Sequence, residues 1–145
     1  MDKYFTFFQE SGIIRTEIFN LKNMTVQKIL IAEDEKPMAK ALEIKLNKAG
    51  FETTVVFDGV SALNELKANK YDLLLLDLMM PNKDGFSVLN DITENKIKVP
   101  VIVSTNLNQK EDIDKAMSLG AKDYFVKSDT TIAEVVEHIK KVLGL

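Results

Sequence analysis

Residues 72–77 read Asp-Leu-Leu-Leu-Leu-Asp, and this string constrains the fold more than any other part of the chain. Four consecutive leucines leave no polar face. A strand of this kind has to be covered on both sides, as in a parallel sheet sandwiched between helices. Leucine is also a good helix former, so composition alone does not decide. Length does: the run is too short for a helix, and Pro81 follows closely. A buried strand that ends in Asp77 also delivers a carboxylate to the point where the chain leaves the core.

The flanking segments repeat the same logic. From Lys28 onward, short apolar runs alternate with amphipathic stretches. Residues 29–32 form an apolar run. Met38, Leu42, Leu46 and Ala49 then fall on one helical face, with Gly50 suited to the position after a helix end. Residues 53–57 make the next strand, and Asp58-Gly59 opens a helix carrying Ala62, Leu63 and Leu66. Beyond Asp77, Asp84-Gly85 leads into a helix through Phe86, Val88, Leu89 and Ile92. Residues 99–103 are a β-branched strand. Ile113, Ala116 and Met117 mark a helix ending at Gly120, and residues 123–126 are the last strand. Thr131-Ile-Ala-Glu134 is a capping-box pattern, opening a helix with Ile132, Val135, Val136, Ile139 and Val142 on one face. Five strands alternating with five helices predict an α/β fold: a parallel sheet with helices on both faces and right-handed crossovers.

Bulk properties narrow the function classes. The 145 residues fit one domain, and 46% hydrophobic with 28% charged residues is ordinary for a globular protein. There is no cysteine, so disulfides and thiolate chemistry are excluded. A net charge of −3 argues against direct nucleic-acid binding, which needs a basic face. No apolar run approaches the roughly 20 residues of a membrane span, and a cytoplasmic location is expected. Residues 1–23 differ from the rest: they are rich in phenylalanine (Phe5, Phe7, Phe8, Phe19) and carry no clean helical or strand pattern. They are expected to be an N-terminal extension, a dispensable tail or the product of an upstream start, ahead of a domain spanning 24–145. The alternative is a segment that packs its aromatics on the domain or on a partner. No second, output domain is expected within the chain.

In an open α/β sheet, ligands bind beyond the carboxyl ends of the strands. The residues there are Glu33-Asp34, Asp77, Ser104-Thr105 and Lys127. Three carboxylates brought together repel one another, and Lys127 offsets one charge. A hard divalent cation offsets the rest. Magnesium fits, because it takes one or two carboxylates and fills its shell with water and phosphate oxygens. Such a site can neutralise an incoming phosphoryl group while a carboxylate attacks it, and the Thr105 hydroxyl can hold one of its oxygens.

These residues resemble the receiver domain of bacterial response regulators, in the manner of the single-domain receivers of chemotaxis. The strings that carry the resemblance are Ile29-Leu-Ile-Ala-Glu-Asp-Glu35, Asp72-Leu-Leu-Leu-Leu-Asp-Leu-Met-Met-Pro81, Asp84-Gly85 and Gly120-Ala-Lys-Asp-Tyr-Phe-Val-Lys127, and they cover residues 28–145 in order. The resemblance implies a flavodoxin-like, doubly wound sheet of strand order 2-1-3-4-5. It implies that Asp77 is the phosphoacceptor and that Asp34 binds Mg2+ (or Mn2+) directly. Glu33 would act directly or through water, with the Met79 backbone carbonyl a further ligand. Lys127 would contact the phosphoryl oxygens, Thr105 would capture one on switching, and Tyr124 would turn inward behind it. The positions tied to phosphoryl lifetime are Met79 and Leu107. Both are apolar and unable to orient a water, so slow self-dephosphorylation is expected. The donor would be a sensor histidine kinase or a histidine phosphotransfer protein. Its docking surface would include helix one near Pro37 and Met38 and the loop after Lys127. The output would be binding of a downstream protein by the surface of helix four, strand five and helix five. The chain would be a monomer, with dimerisation on phosphorylation an option, and a self-phosphorylating switch rather than a turnover enzyme.

Three positions depart from the family pattern. Ser128 follows Lys127 where proline is common, the acidic pair is Glu33-Asp34 rather than two aspartates, and Asn106 stands where a small residue often follows the threonine. Asn106 is expected either to crowd the pocket or to donate a hydrogen bond. His138 is expected to be exposed and without a partner. The main alternative is a receiver-fold interaction module that is not phosphorylated; such chains usually lose part of the acidic site, the threonine or the lysine. A flavin carrier would need a Ser-, Thr- or Gly-rich loop where Glu33-Asp34-Glu35 stands. A haloacid-dehalogenase-type phosphatase would need an aspartate where Met79 stands.

Overall fold

The computed structural model describes residues 7–8, 14–15 and 25–145. Its elements alternate as the hydrophobic pattern predicts: β1 (Lys28–Ala32), α1 (Lys36–Lys48), β2 (Glu52–Val56), α2 (Gly59–Ala68), β3 (Leu73–Leu76), α3 (Gly85–Glu94), β4 (Val101–Thr105), α4 (Lys110–Ser118), β5 (Asp123–Val126) and α5 (Ile132–Leu143), with a 3-10 turn at Lys127–Asp129. The five strands form one parallel sheet of order β2-β1-β3-β4-β5. Both the α/β class and the 2-1-3-4-5 order are as expected.

The four leucines of β3 show why the order follows. β3 sits at the centre of the sheet, and each of its residues is at most 1% exposed. Alternate side chains go to opposite faces. Leu74 and Leu76 join Leu30, Val103, Leu66, Val88, Leu89 and Ala116 beneath α2, α3 and α4. Leu73 and Leu75 join Ile29, Ile31 and Ile102 beneath α1 and α5, against Leu42, Leu46, Val136 and Ile139. The strand thus belongs to two cores at once.

Helix starts follow local chemistry. The Asp58 and Asp84 carboxylates accept from the backbone N–H groups of Ser61 and Ser87 and cap α2 and α3. Thr131 and Glu134 form the full capping box of α5, which ends at Gly144 with φ of 74°. Pro37 occupies the first turn of α1, where its missing N–H costs nothing.

Several details differ from the sequence expectations. The buried face of α1 is Ala39, Leu42 and Leu46, with Met38 half-buried; Ala49 is the exposed helix cap. The fourth strand begins at Val101 and runs to Thr105, because Pro100 lacks an N–H and enters the ladder only through its carbonyl, which accepts from Leu74. Phe57 falls just outside β2 and is 44% exposed. Met117 is likewise exposed, leaving Ala116 as the buried residue of α4. Within residues 1–23, Phe7–Phe8 pairs antiparallel with Ile14–Arg15, although the segment carries no clean strand pattern. Whether that segment is dispensable or packs its aromatics on the domain lies outside the described residues. Among those residues, no helix is long and apolar enough to cross a membrane.

Candidate functional site

Parallel pairing brings the carboxyl ends of β1, β3, β4 and β5 to one edge. Ala32 pairs with Leu76, Leu76 with Val103, and Thr105 with Val126. The Asp77 N–H donates to the Ala32 carbonyl at 3.0 Å, which carries the pairing one residue past the leucines and fixes where the carboxylate emerges. Glu33, Asp34, Asp77, Thr105 and Lys127 therefore converge, as the sequence predicted.

Lys127 is the hub. Its Nζ donates to Glu33 Oε1 and Oε2 at 2.9 and 2.7 Å and to Asp77 Oδ2 at 2.9 Å, with Glu35 Oε1 farther out at 3.9 Å. The Lys127 side chain is 6% exposed, Glu33 2% and Asp77 3%. Burial pushes the Glu33 carboxyl above its ordinary pKa, a rise that the hydrogen bond from Lys127 only partly opposes. For Lys127, burial pulls downward, but hydrogen bonds and charge attraction from Glu33 and Asp77 prevail and raise it. Two buried carboxyl groups share one ammonium, and Asp34 adds a third carboxyl beside them.

Asp34 is exposed beside this cluster. Glu33, Asp34 and Asp77 can each offer an oxygen with all three within 4.8 Å of one another. The donor set is entirely carboxylate oxygen, with no imidazole or thiolate, which suits a hard cation of the magnesium class. The other Asp77 oxygen, Oδ1, accepts from the Met79 N–H at 3.1 Å.

The loop after β3 is held by contacts that sequence reasoning missed. An added Cβ on Gly85 would lie 2.5 Å from the Asp77 carbonyl oxygen, and one on Gly59 would lie 1.9 Å from that of Lys83. These glycines were legible only as helix openers, yet they let the first turns of α2 and α3 close on the loop that carries Asp77. Asn82, with φ of 66°, donates to Asp58 at 3.2 Å and ties that loop to the cap of α2.

Thr105 is fully buried, and its Oγ1 accepts a long 3.5 Å bond from the Leu107 N–H. The Tyr124 hydroxyl donates to the Leu107 carbonyl at 2.6 Å, with its ring packed against the core beneath α4. Burial raises the Tyr124 pKa, with smaller contributions from Asp112 and Asp77. Leu107 is half-buried and Met79 is 58% exposed, so of the two lifetime positions only Met79 stands in the open. Asn106 accepts rather than donates: its Oδ1 takes a hydrogen bond from the Ser128 N–H at 3.1 Å. No cis peptide occurs among the described residues, and Lys127 reaches both carboxylates with Ser128 behind it.

One expectation is corrected. His138 has a partner: its Nδ1 pairs with Asp123 at the start of β5, and its ring lies 5.3 Å from that of Phe125. It is half-buried, because α5 packs on β5 and brings together residues distant in sequence. The acidic residues of α4 are mainly solvated, with Asp114 paired to Lys110 at 2.6 Å.

Known proteins resemble this chain in sequence and in fold. A family model described as the response regulator receiver domain matches residues 29–140. The chain is 37% identical over 100 residues to the transcriptional regulatory protein DltR of Streptococcus agalactiae, covering 69% of this chain and 45% of that protein. It is 35% identical over 116 residues to the response regulator ArlR of Staphylococcus saprophyticus, covering 80% and 52%. The chain thus spans about half the length of the curated relatives it matches. Among solved structures, the receiver domain of the Francisella response regulator 1452 superposes with a TM-score of 0.77 at 33% identity, covering 81% of this chain and 97% of that one. The receiver domain of the sensor histidine kinase PA1611 from Pseudomonas aeruginosa, which holds a magnesium ion in its active-site cleft, superposes with a TM-score of 0.74 at 29% identity, covering 83% and 100%. A receiver-domain family model over residues 29–140 and solved receiver domains of the same fold agree: this chain belongs to the response regulator receiver domain family of two-component systems.

Proposed function

We propose that the domain is a phosphorylation-driven switch in which Asp77 accepts the phosphoryl group. The observation that supports this most is Lys127 Nζ held 2.9 Å from Asp77 Oδ2, beside a cluster of three carboxylates. An Asp77 oxygen attacks the phosphorus of a donor phosphohistidine. The P–N bond breaks, the imidazole leaves with its electron pair and takes a proton, and an acyl phosphate remains on Asp77. Lys127 exchanges part of its contact with the carboxylates for the phosphoryl oxygens. Asp34 and Asp77, with the Met79 backbone carbonyl, would hold a magnesium ion. Glu33, whose two oxygens already accept from Lys127, assists through water. When bound, the cation supplies positive charge that offsets the phosphoryl oxygens.

The product adds about −1.5 to −2 charges where Asp77 stood. Thr105 then leaves its long bond to Leu107 for a phosphoryl oxygen, and Tyr124 follows the loop. The surface of α4, β5 and α5 changes, and a downstream protein reads the change. The donor is a sensor histidine kinase or a histidine phosphotransfer protein. The chain performs its own phosphoryl transfer and turns over no small substrate.

Incubation with acetyl phosphate and magnesium, followed by intact mass, tests this reading. A single phosphoryl adduct is expected, absent in Asp77→Asn and absent after chelation. A folded protein that gains no adduct from several donors favours the unphosphorylated interaction module instead.

A further inference from the structure

Two of the departures from the family pattern touch each other. Asn106 follows Thr105, and Ser128 follows Lys127, so each sits one residue beyond a group expected to hold the phosphoryl oxygens. The Asn106 side chain accepts from the Ser128 backbone N–H at 3.1 Å, across 22 residues of sequence. Proline at position 128 could not make this bond, because it has no N–H. A small apolar residue at position 106 could not accept it.

The bond also stands where it has mechanical effect. β4 and β5 are paired up to Thr105 and Val126, and the ladder ends there. Beyond that point the loop after β4 and the turn at Lys127–Asp129 leave the sheet. On the β4 side, the loop is held by Tyr124 on the Leu107 carbonyl and by the long Leu107 to Thr105 bond. On the β5 side, Thr130 Oγ1 donates to the Val126 carbonyl at 2.9 Å and closes the turn on itself. The Asn106–Ser128 bond joins the two.

We propose that Asn106 is a positioning residue that, through the Ser128 N–H, fixes Lys127 relative to Thr105 across the phosphoryl pocket. It touches neither Asp77 nor the phosphoryl group. It replaces backbone rigidity after the lysine with a side-chain clasp. The proposal rests on the phosphoacceptor reading above and names the device that sets the spacing of its two phosphoryl contacts.

The test measures affinity for beryllofluoride with magnesium, a stable mimic of the phosphoryl group, by calorimetry on the full chain. Four variants are compared: Asn106→Ala, Ser128→Pro, the two combined, and Ser128→Ala, which keeps the N–H. Asn106→Ala is expected to weaken binding about three- to tenfold, the range that one net hydrogen bond supplies. The same substitution on the Ser128→Pro background is expected to change nothing further, because the bond is already gone. Ser128→Ala is expected to bind as the unaltered chain does. An unchanged affinity in Asn106→Ala, an equal loss on both backgrounds, or a loss in Ser128→Ala overturns the proposal. Amide exchange of Ser128 in the unliganded protein reports on the clasp itself: faster exchange in Asn106→Ala is expected, and no change also overturns it. Failure of the unaltered chain to bind beryllofluoride at all would instead count against the phosphoacceptor reading.

Discussion

At the residue scale, Lys127 makes a buried pair of carboxylates tolerable. Its pKa is raised, so its contribution to stability is fully present below the ordinary 10.5 and is lost only as the pH rises through the higher folded value. Glu33, also raised, has its full contribution below 4.5 and loses it as the pH rises through its folded value. The hydrogen bond from Lys127 works against the rise that burial and the neighbouring Asp77 impose on Glu33. Lys127→Ala is expected to cost about 3–5 kcal/mol in the magnesium-free protein, because it leaves two buried carboxyl groups without their shared ammonium partner. Urea unfolding with and without magnesium checks this. Magnesium should recover part of the loss, and a variant as stable as the parent would contradict the hub role.

Met79 and Leu107 set a second prediction at this scale. Neither side chain can orient a water toward the acyl phosphate, so the adduct on Asp77 should decay slowly. Met79→Asn combined with Leu107→Glu should speed its loss, followed by intact mass over time after the donor is removed. An unchanged decay rate would mean that access of water is governed elsewhere.

At the scale of elements, the strand-end residues were readable because each closes an apolar run. Asp77 after four leucines and Lys127 after the last strand stand out against what precedes them, and parallel pairing does the rest. The cap residues Asp58, Asp84 and Thr131 were readable for the same reason, since capping is local. What escaped the sequence are contacts between elements. The pairing of His138 with Asp123, and the choice of Ser128 as the partner of Asn106, depend on side-chain reach after the helices have docked, which no local pattern encodes. Close packing of glycine belongs here too. Gly85 looks like any helix opener, yet the Asp77 carbonyl leaves no room for a methyl group. Gly85→Ala is expected to cost about 1–3 kcal/mol by forcing backbone apart. It should also slow formation of the Asp77 adduct, because the displaced atom is part of the acceptor residue. A denaturation midpoint and adduct rate matching the parent would show that the loop yields freely.

At the scale of the whole molecule, the sheet explains how one carboxylate can alter a distant surface. β3 packs in both cores, and β4 and β5 lie beside it, so the loops that leave β4 and β5 share an edge with Asp77. The α/β class and strand order were legible because a doubly buried strand admits few architectures. The surface that a partner reads was not, because it depends on the conformation of loops after Thr105 and Lys127. Relatives such as DltR and ArlR are about twice as long as the matched segment, and their full activities belong to those longer chains.

The central claim is that Asp77, among three adjacent carboxylates, is the one that forms the acyl phosphate. The most direct measurement is to phosphorylate the full chain with phosphoramidate and magnesium, reduce the acyl phosphate with borohydride, and map the digested peptides. Conversion of Asp77 to homoserine, with Glu33 and Asp34 intact, is the predicted result. Reduction at Asp34 or Glu33, or a phosphoryl group that resists borohydride, would contradict it.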